Sequence, residues 1–322
     1  MTQEDIQKHT DHQHETLVHE TAEKHHSHSH AQISRHDCGY HLLQVENLSI
    51  GFRMYDAADS SFFRAKQHKI EVIKNLSLSV HFGEILAIIG ASGAGKTLLA
   101  DAIMGMFEPN AMVNGTIWFK GEQQNESSLS QLRGNEIALV PQSTNYLDPL
   151  MKVGVQVRGF KSGKKGDKAA RAKKQRNIFA HYQLDEKTDD LYPFEISGGM
   201  ARRVLLASAL IDDPDLIIAD EPTPGLDLDL AVKAMADFRE LADQGKGVLL
   251  ITHDIELALR VADRVAVFKD GTVIEETAVA NFTSPDLLEH PFTKELWHAL
   301  PEHDFAVASA DLLTQKRKGV SC

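Results

Sequence analysis

The stretch GEILAIIGASGAGKTLLADAIMGMF, Gly83 to Phe107, decides the fold. Ile85 to Ile89 is an unbroken apolar run of strand length, and Leu98 to Phe107 carries apolar residues at helical spacing. Between them lies a glycine-rich turn, Gly90 to Thr97, that fits G-x-x-x-x-G-K-[ST] at all four fixed positions, Gly90, Gly95, Lys96 and Thr97. A turn of this kind, leaving a strand and opening a helix, lets backbone N–H groups point inward around phosphate oxygens. The helix N-terminus adds its partial positive charge. Gly90, Ser92, Gly93, Ala94 and Gly95 are therefore expected to cradle phosphates. Lys96 is expected to reach the β- and γ-phosphates, and the Thr97 hydroxyl to ligate Mg²⁺.

A second apolar run, LIIADE from Leu216 to Glu221, ends in two carboxylates. Open α/β sheets place ligands at the C-terminal edge of their strands. Asp220 is thus expected to hold hydrated Mg²⁺, and Glu221 to act as general base on the attacking water. These two motifs indicate a P-loop NTPase with ATP and Mg²⁺ as its ligands. The rest of the chain agrees. HLLQVENLSIGF and KIEVIKNLSLSVHF alternate apolar with polar, as strands do. From Ser197 onward buried strands and helices take turns, which implies a mostly parallel sheet covered on both faces. RVAVFKDGTVIEE reads as a β-hairpin turning at Asp270-Gly271. Residues 143–200 read as mostly helical, and their basic run, Lys161 to Arg176, reads as a solvated face.

The chain has 322 residues, with 34 basic against 46 acidic side chains and a net charge of −12. That balance argues against nucleic acid as a partner, which would call for a basic face. Its two cysteines, Cys38 and Cys322, exclude a disulfide scaffold and fit a reducing compartment. No apolar run approaches the roughly 18 residues of a spanning helix, and the N-terminus does not read as a secretory leader. Residues 1–36 hold few large apolar side chains and are predicted to be a disordered tail. Residues 37–301 form the folded domain and 302–322 a C-terminal tail. Ten of the seventeen histidines fall between positions 9 and 41.

A third motif narrows the class. ISGGM, Ile196 to Met200, runs into the apolar helix ARRVLLASAL. Here the chain resembles the ATP-binding cassette (ABC) ATPases, whose signature is of the LSGGQ type. The resemblance covers about Leu43 to Pro301, with the motifs in the family's order. It implies an α/β fold with a RecA-like parallel sheet, an antiparallel β subdomain and an α-helical subdomain at about 143–200. It implies that Gln142 contacts Mg²⁺ and water, that Asp227 in PGLD is the acidic residue of the D-loop, and that His253 contacts the γ-phosphate. It further implies that Ser197, Gly198 and Gly199 complete the ATP site of a second ATPase subunit. An aromatic ring normally stacks on adenine. Phe52 is the first choice and Tyr55 the second.

One cassette with neither a membrane domain nor a heptad run suggests a separate importer subunit. SPDLLEHPFTKELWHALP, Ser284 to Pro301, resembles the tail of the oligopeptide/dipeptide/nickel importer ATPases, and Met200 within the signature is usual there. This implies two permease subunits, an extracytoplasmic substrate-binding protein and a place on the cytoplasmic face of the membrane. Only Cys322 follows that tail, so no iron–sulfur cluster is expected. Imidazole suits Ni²⁺ and Zn²⁺, and His25, His26, His28 and His30 offer several nitrogens within six residues. Together with the subfamily resemblance this tilts the expected cargo to nickel or another chelated transition metal, with dipeptides or oligopeptides as the alternative. A soluble ABC ATPase outside transport ranks lower.

Overall fold

Alternation along fully buried strands builds the framework of the molecule. The computed structural model describes residues 41–55, 67–91, 93, 95–159 and 165–300. In chain order its strands and α-helices are β1 His41–Tyr55, β2 Gln67–His81, β3 Ile85–Gly90, α1 Lys96–Ile103, β4 Ala111–Phe119, β5 Glu122–Gln124, α2 Glu126–Leu132, β6 Ile137–Val140, α3 Val153–Arg158, α4 Lys165–His181, α5 Gly198–Leu210, β7 Leu216–Asp220, α6 Leu228–Asp243, β8 Gly247–Thr252, α7 Ile255–Val261, β9 Arg264–Lys269, β10 Thr272–Ala278 and α8 Pro291–His298.

Six strands pair in the order β10-β9-β3-β8-β7-β6. All neighbours are parallel except the β9–β10 hairpin, which turns at Asp270-Gly271 as its sequence implies. In β3, Ile85, Ala87 and Ile89 join one apolar cluster with α5 and α6, while Leu86 and Ile88 join a second with α1 and the antiparallel sheet. β8 repeats the division, with Val248 and Leu250 on one face and Leu249 and Ile251 on the other. Each such buried aliphatic side chain contributes about 1.5–3 kcal/mol, so β3, β7 and β8, buried along their whole length, give the site a firm base. α6 shows the matching helical pattern, burying Ala231, Ala234, Met235, Phe238 and Ala242 at spacings of three and four.

The second sheet is antiparallel, in the order β2-β1-β4-β5. It packs Leu43, Val45, Ile50, Leu76 and Leu78 into the α1-side cluster. β4 begins earlier than the WFKG run suggests. Among the described residues between 143 and 200 the regular structure is helical.

Parallel pairing has one consequence for everything below. The C-terminal ends of β3, β6, β7 and β8 share an edge, and from it emerge Gly90–Thr97, Gln142, Asp220-Glu221 and His253.

Candidate active site

The first wall of the site is the turn out of β3. A Cβ on Gly90 would lie 2.1 Å from the Phe268 carbonyl oxygen of the neighbouring strand β9, so only glycine fits there. Gly95 caps α1 at φ 103°, a left-handed conformation that glycine adopts without strain. It offers no side-chain cap, which leaves the helix amides to another acceptor. The Lys96 side chain turns back over this loop. It is 7 % exposed, and its ammonium donates to the carbonyls of Gly90 at 2.7 Å and Ala91 at 2.9 Å. Burial pushes Lys96 below the usual lysine range, and the charges of Glu221 and Asp220 oppose that fall.

The second wall is the carboxylate pair. Asp220 ends β7 at 2 % exposure, and among the described residues one of its oxygens, Oδ1, has no hydrogen-bond partner. Burial pushes its carboxyl up. The Thr97 hydroxyl donates to it and pulls it back, as do the charges of Lys96 and Arg202, while Glu221 adds to the rise. An orphaned, buried carboxylate oxygen beside a hydroxyl is a hard-oxygen donor set of the kind Mg²⁺ takes. Asp220 and Thr97 therefore fit the metal that the phosphate-binding turn implies.

Glu221 sits at φ 48°, a conformation that costs a non-glycine residue roughly 1–2 kcal/mol. Its amide donates to the Ile251 carbonyl at 2.8 Å, which fixes the bend. The strain directs a buried side chain at the end of β8. There Glu221 Oε2 lies 2.8 Å from His253 Nδ1 and accepts from the Thr252 hydroxyl at 3.3 Å. His253 itself is largely exposed. The chain thus brings together Lys96, Thr97, Asp220, Glu221 and His253, five residues named from sequence.

The remaining candidates lie around this group. Gln142 follows β6 and is exposed. Ser197 caps α5, its Oγ accepting from the Met200 amide at 3.2 Å. A Cβ on Gly198 would meet nothing within 4 Å, whereas one on Gly199 would lie 3.2 Å from the Gly225 carbonyl. The signature thus faces outward beside the PGLD segment. Asp227 caps α6, accepting from the Leu230 amide at 3.0 Å. Phe52 is half-buried against the α1-side cluster. Ser92, Ala94, the Tyr55 side chain and His25, His26, His28 and His30 lie outside the described residues.

Sequence reasoning passed over two residues here. Thr252 bridges the site, donating to Glu221 and accepting from the Asp254 amide at 3.0 Å. Arg202 is 4 % exposed and donates to the carbonyls of Pro141, Gln142 and Pro224. Its only signal in the sequence is the adjacency of two arginines in an otherwise apolar helix.

The chain is similar to known proteins in sequence and fold. Residues 73–224 fit the model of the ABC transporter family. The oligopeptide transport ATP-binding protein OppD of Lactococcus lactis (strain SK11) is 32 % identical over 272 residues, covering 81 % of this chain and 76 % of OppD. The dipeptide transport ATP-binding protein DppD of Escherichia coli (strain K12) is 33 % identical over 81 % of this chain and 79 % of DppD. Among solved structures, the dimeric post-hydrolysis state of the ATP-binding cassette MJ0796 bound to ADP and Pi aligns with a TM-score of 0.63. Its identity is 27 %, over 74 % of this chain and 98 % of the cassette. Among the described residues no helix is long and apolar enough to cross a membrane. The chain belongs to the ATP-binding subunits of ABC transporters, in the family of the oligopeptide and dipeptide importers, and is an ATP-hydrolysing cassette.

Proposed function

We propose that the chain energises the uptake of dipeptides or oligopeptides from the cytoplasmic face of the membrane. The observation that carries this reading is the kinship with OppD and DppD over four-fifths of the chain. It favours peptides over the nickel or chelated metal suggested by the histidine-rich leader. Growth and uptake decide the matter. Deleting the gene should abolish accumulation of labelled dipeptides or oligopeptides and leave nickel accumulation unchanged; the reverse result overturns the reading. Chelation of Ni²⁺ or Zn²⁺ by His25, His26, His28 and His30 is a separate matter, settled by equilibrium dialysis of the full chain against one lacking residues 1–36.

In this reading ATP binds with its phosphates in the Gly90–Thr97 turn, where the backbone from Gly90 through Ser92, Gly93 and Ala94 to Gly95 supplies N–H donors and Lys96 supplies charge. Lys96 is now held by the carbonyls of Gly90 and Ala91; exchanging neutral acceptors for phosphate oxygens strengthens its hydrogen bonds. Mg²⁺, when bound, neutralises charge on the phosphate oxygens. Thr97 and Asp220 would hold it, with Gln142, which follows β6, as a further oxygen donor. Glu221 takes the proton of the attacking water, and His253 passes from Glu221 to the terminal phosphate. Phe52 supports the adenine. Ser197 and Gly198, exposed at an already capped helix start, and the half-buried Gly199 beside them serve the nucleotide of a second ATPase subunit, and Asp227 flanks that joint. The open surroundings of Gly198 support this division of labour. Two permease subunits and an extracytoplasmic binding protein complete the assembly.

A further inference from the structure

We propose that Arg202 is a positioning residue that ties the Gln142 loop and the Pro224–Asp227 segment to the start of α5, so that the signature cannot move without both. All three guanidinium nitrogens are engaged. Nη1 donates to the Pro141 carbonyl at 2.5 Å, Nη2 to the Gln142 carbonyl at 2.6 Å and Nε to the Pro224 carbonyl at 3.3 Å. These acceptors lie 61, 60 and 22 residues away in sequence. They belong to two different loops at one edge of the parallel sheet.

Burying a guanidinium is costly unless its donors are matched. At 4 % exposure Arg202 has its donors met by three backbone carbonyls, and the nearby charges of Asp220 and Glu221 favour its cation. Its fixed planar fork suits them; a lysine ammonium, a compact point charge, cannot span both loops in this way. The neighbouring arginine supplies the contrast. Arg203 donates to Gly199, Tyr182 and Gln183, and so holds α5 to its own first turn and to the end of α4. One arginine fixes the helix within the helical segment; the other reaches across to the sheet edge.

Position gives this strut its use. Arg202 lies just over one turn into the helix that Ser197 caps, with open space around Gly198. A contact made at Ser197–Gly199 therefore has a short rigid path to the backbone that carries Gln142, and to the segment that begins three residues after Glu221. The inference rests on the proposed roles of Gln142 and Ser197.

Two measurements on Arg202→Met and Arg202→Lys test it. In hydrogen exchange on the nucleotide-free full chain, peptides spanning residues 141–147 and 223–228 should exchange together, about tenfold faster than in the parent, while β3 and β8 stay protected. In the assembled transporter, kcat should fall about tenfold or more with KM for ATP changed less than about twofold, since small displacements of catalytic groups alone cost up to ~10²-fold. Arg202→Lys should recover one loop's protection and only part of kcat. Should Arg202→Met fail to fold, Arg202→Lys carries the test, because it keeps the charge and loses the fork. Unchanged exchange in both loops, or a KM that rises in step with the loss of kcat, overturns the proposal. Gln142→Ala serves as control: full turnover in that variant removes the role of Gln142, while the exchange result still decides Arg202.

Discussion

The glycine-bearing starts of α1 and α5 face opposite fates. α1 begins at Gly95, without a side-chain cap, and its own chain closes around it. Lys96 folds back onto the loop carbonyls, and Gly90 is pressed against β9. α5 begins at Ser197, whose hydroxyl already takes a first-turn amide, and among the described residues a Cβ at Gly198 would meet nothing within 4 Å. The same partial charge of a helix N-terminus is thus offered twice, once inward and once outward. An uncapped start enclosed by a lysine is suited to hold phosphates permanently within reach of Asp220 and Glu221. A capped, open start keeps its fold without a ligand, and meets one only when another molecule brings it. The difference is what the proposed division of labour requires, with one chain supplying half of each of two sites.

The inward site can be broken most severely at Glu221. Glu221→Gln keeps the shape and the Thr252 contact but cannot take a proton. Its expected turnover in the assembled transporter is ~10²–10⁴-fold lower, with ATP still bound tightly enough to measure by filter binding. Normal turnover would remove Glu221 as the base. The next effect pits the two glycine runs directly. Gly90→Ala sets a methyl against a backbone oxygen that has no side-chain freedom to retreat, so unfolding free energy in urea should drop by about 3 kcal/mol. Gly198→Ala meets open space at the first helical position. It should leave the urea midpoint nearly unmoved and lower only the hydrolysis of the assembled transporter. Equal instability in the two variants would erase the contrast between closed and open starts.

Two buried carboxylates extend the comparison to the far edge of the sheet. Among the described residues Asp220 keeps one oxygen, Oδ1, without a hydrogen-bond partner, as suits a ligand-binding group. Glu84, just before β3, is fully engaged. Burial raises it, but the His81 ring at 2.5 Å and the Arg264 guanidinium at 2.8 Å outweigh burial and hold it at about 2. Its pKa is lowered on folding, so its contribution is present above the unfolded value of 4.5 and fades as pH falls from there towards 2. Glu84→Gln should cost about 2 kcal/mol of urea stability at pH 7, a value discounted from the full pKa gap. That cost should shrink steadily below pH 4.5. A penalty that stays constant down to pH 3 would show that Glu84 acts through packing and not through charge.

What the sequence made legible follows from where the information lies. Gly90–Thr97 and Asp220-Glu221 are contiguous runs attached to apolar strands, and local pattern alone places them at one edge once the sheet is parallel. Arg202 was opaque because nothing in ARRVLLASAL says which of two adjacent arginines turns inward; two loops distant in sequence decide it. The Glu84–Arg264 pair spans 180 residues and has no local mark. α2 escaped for a different reason. Leu129 is its one buried residue, so no helical period shows, and the visible signal was the reciprocal cap between Asn125 and Ser128. Thr252 reads as one more residue in an apolar strand, and only the left-handed bend at Glu221 brings the carboxylate to it.

The smallest expected effect is the sharpest probe of the outward site. Ser197→Ala removes one cap hydrogen bond, to the Met200 amide, at an exposed helix start. Losses of this kind are about 1 kcal/mol, and for a chain of this length a melting point shifts by only about 2–4 °C. The turn around Gly90 and Lys96 makes no described hydrogen bond with Ser197, so affinity of the isolated chain for a fluorescent ATP analogue should be unchanged. Hydrolysis in the assembled transporter should nonetheless fall well beyond what the lost stability explains, because the missing hydroxyl is one that the neighbouring subunit's nucleotide would meet. If instead the isolated chain loses nucleotide affinity, Ser197 serves its own phosphate-binding turn, and the two helix starts belong to one site after all.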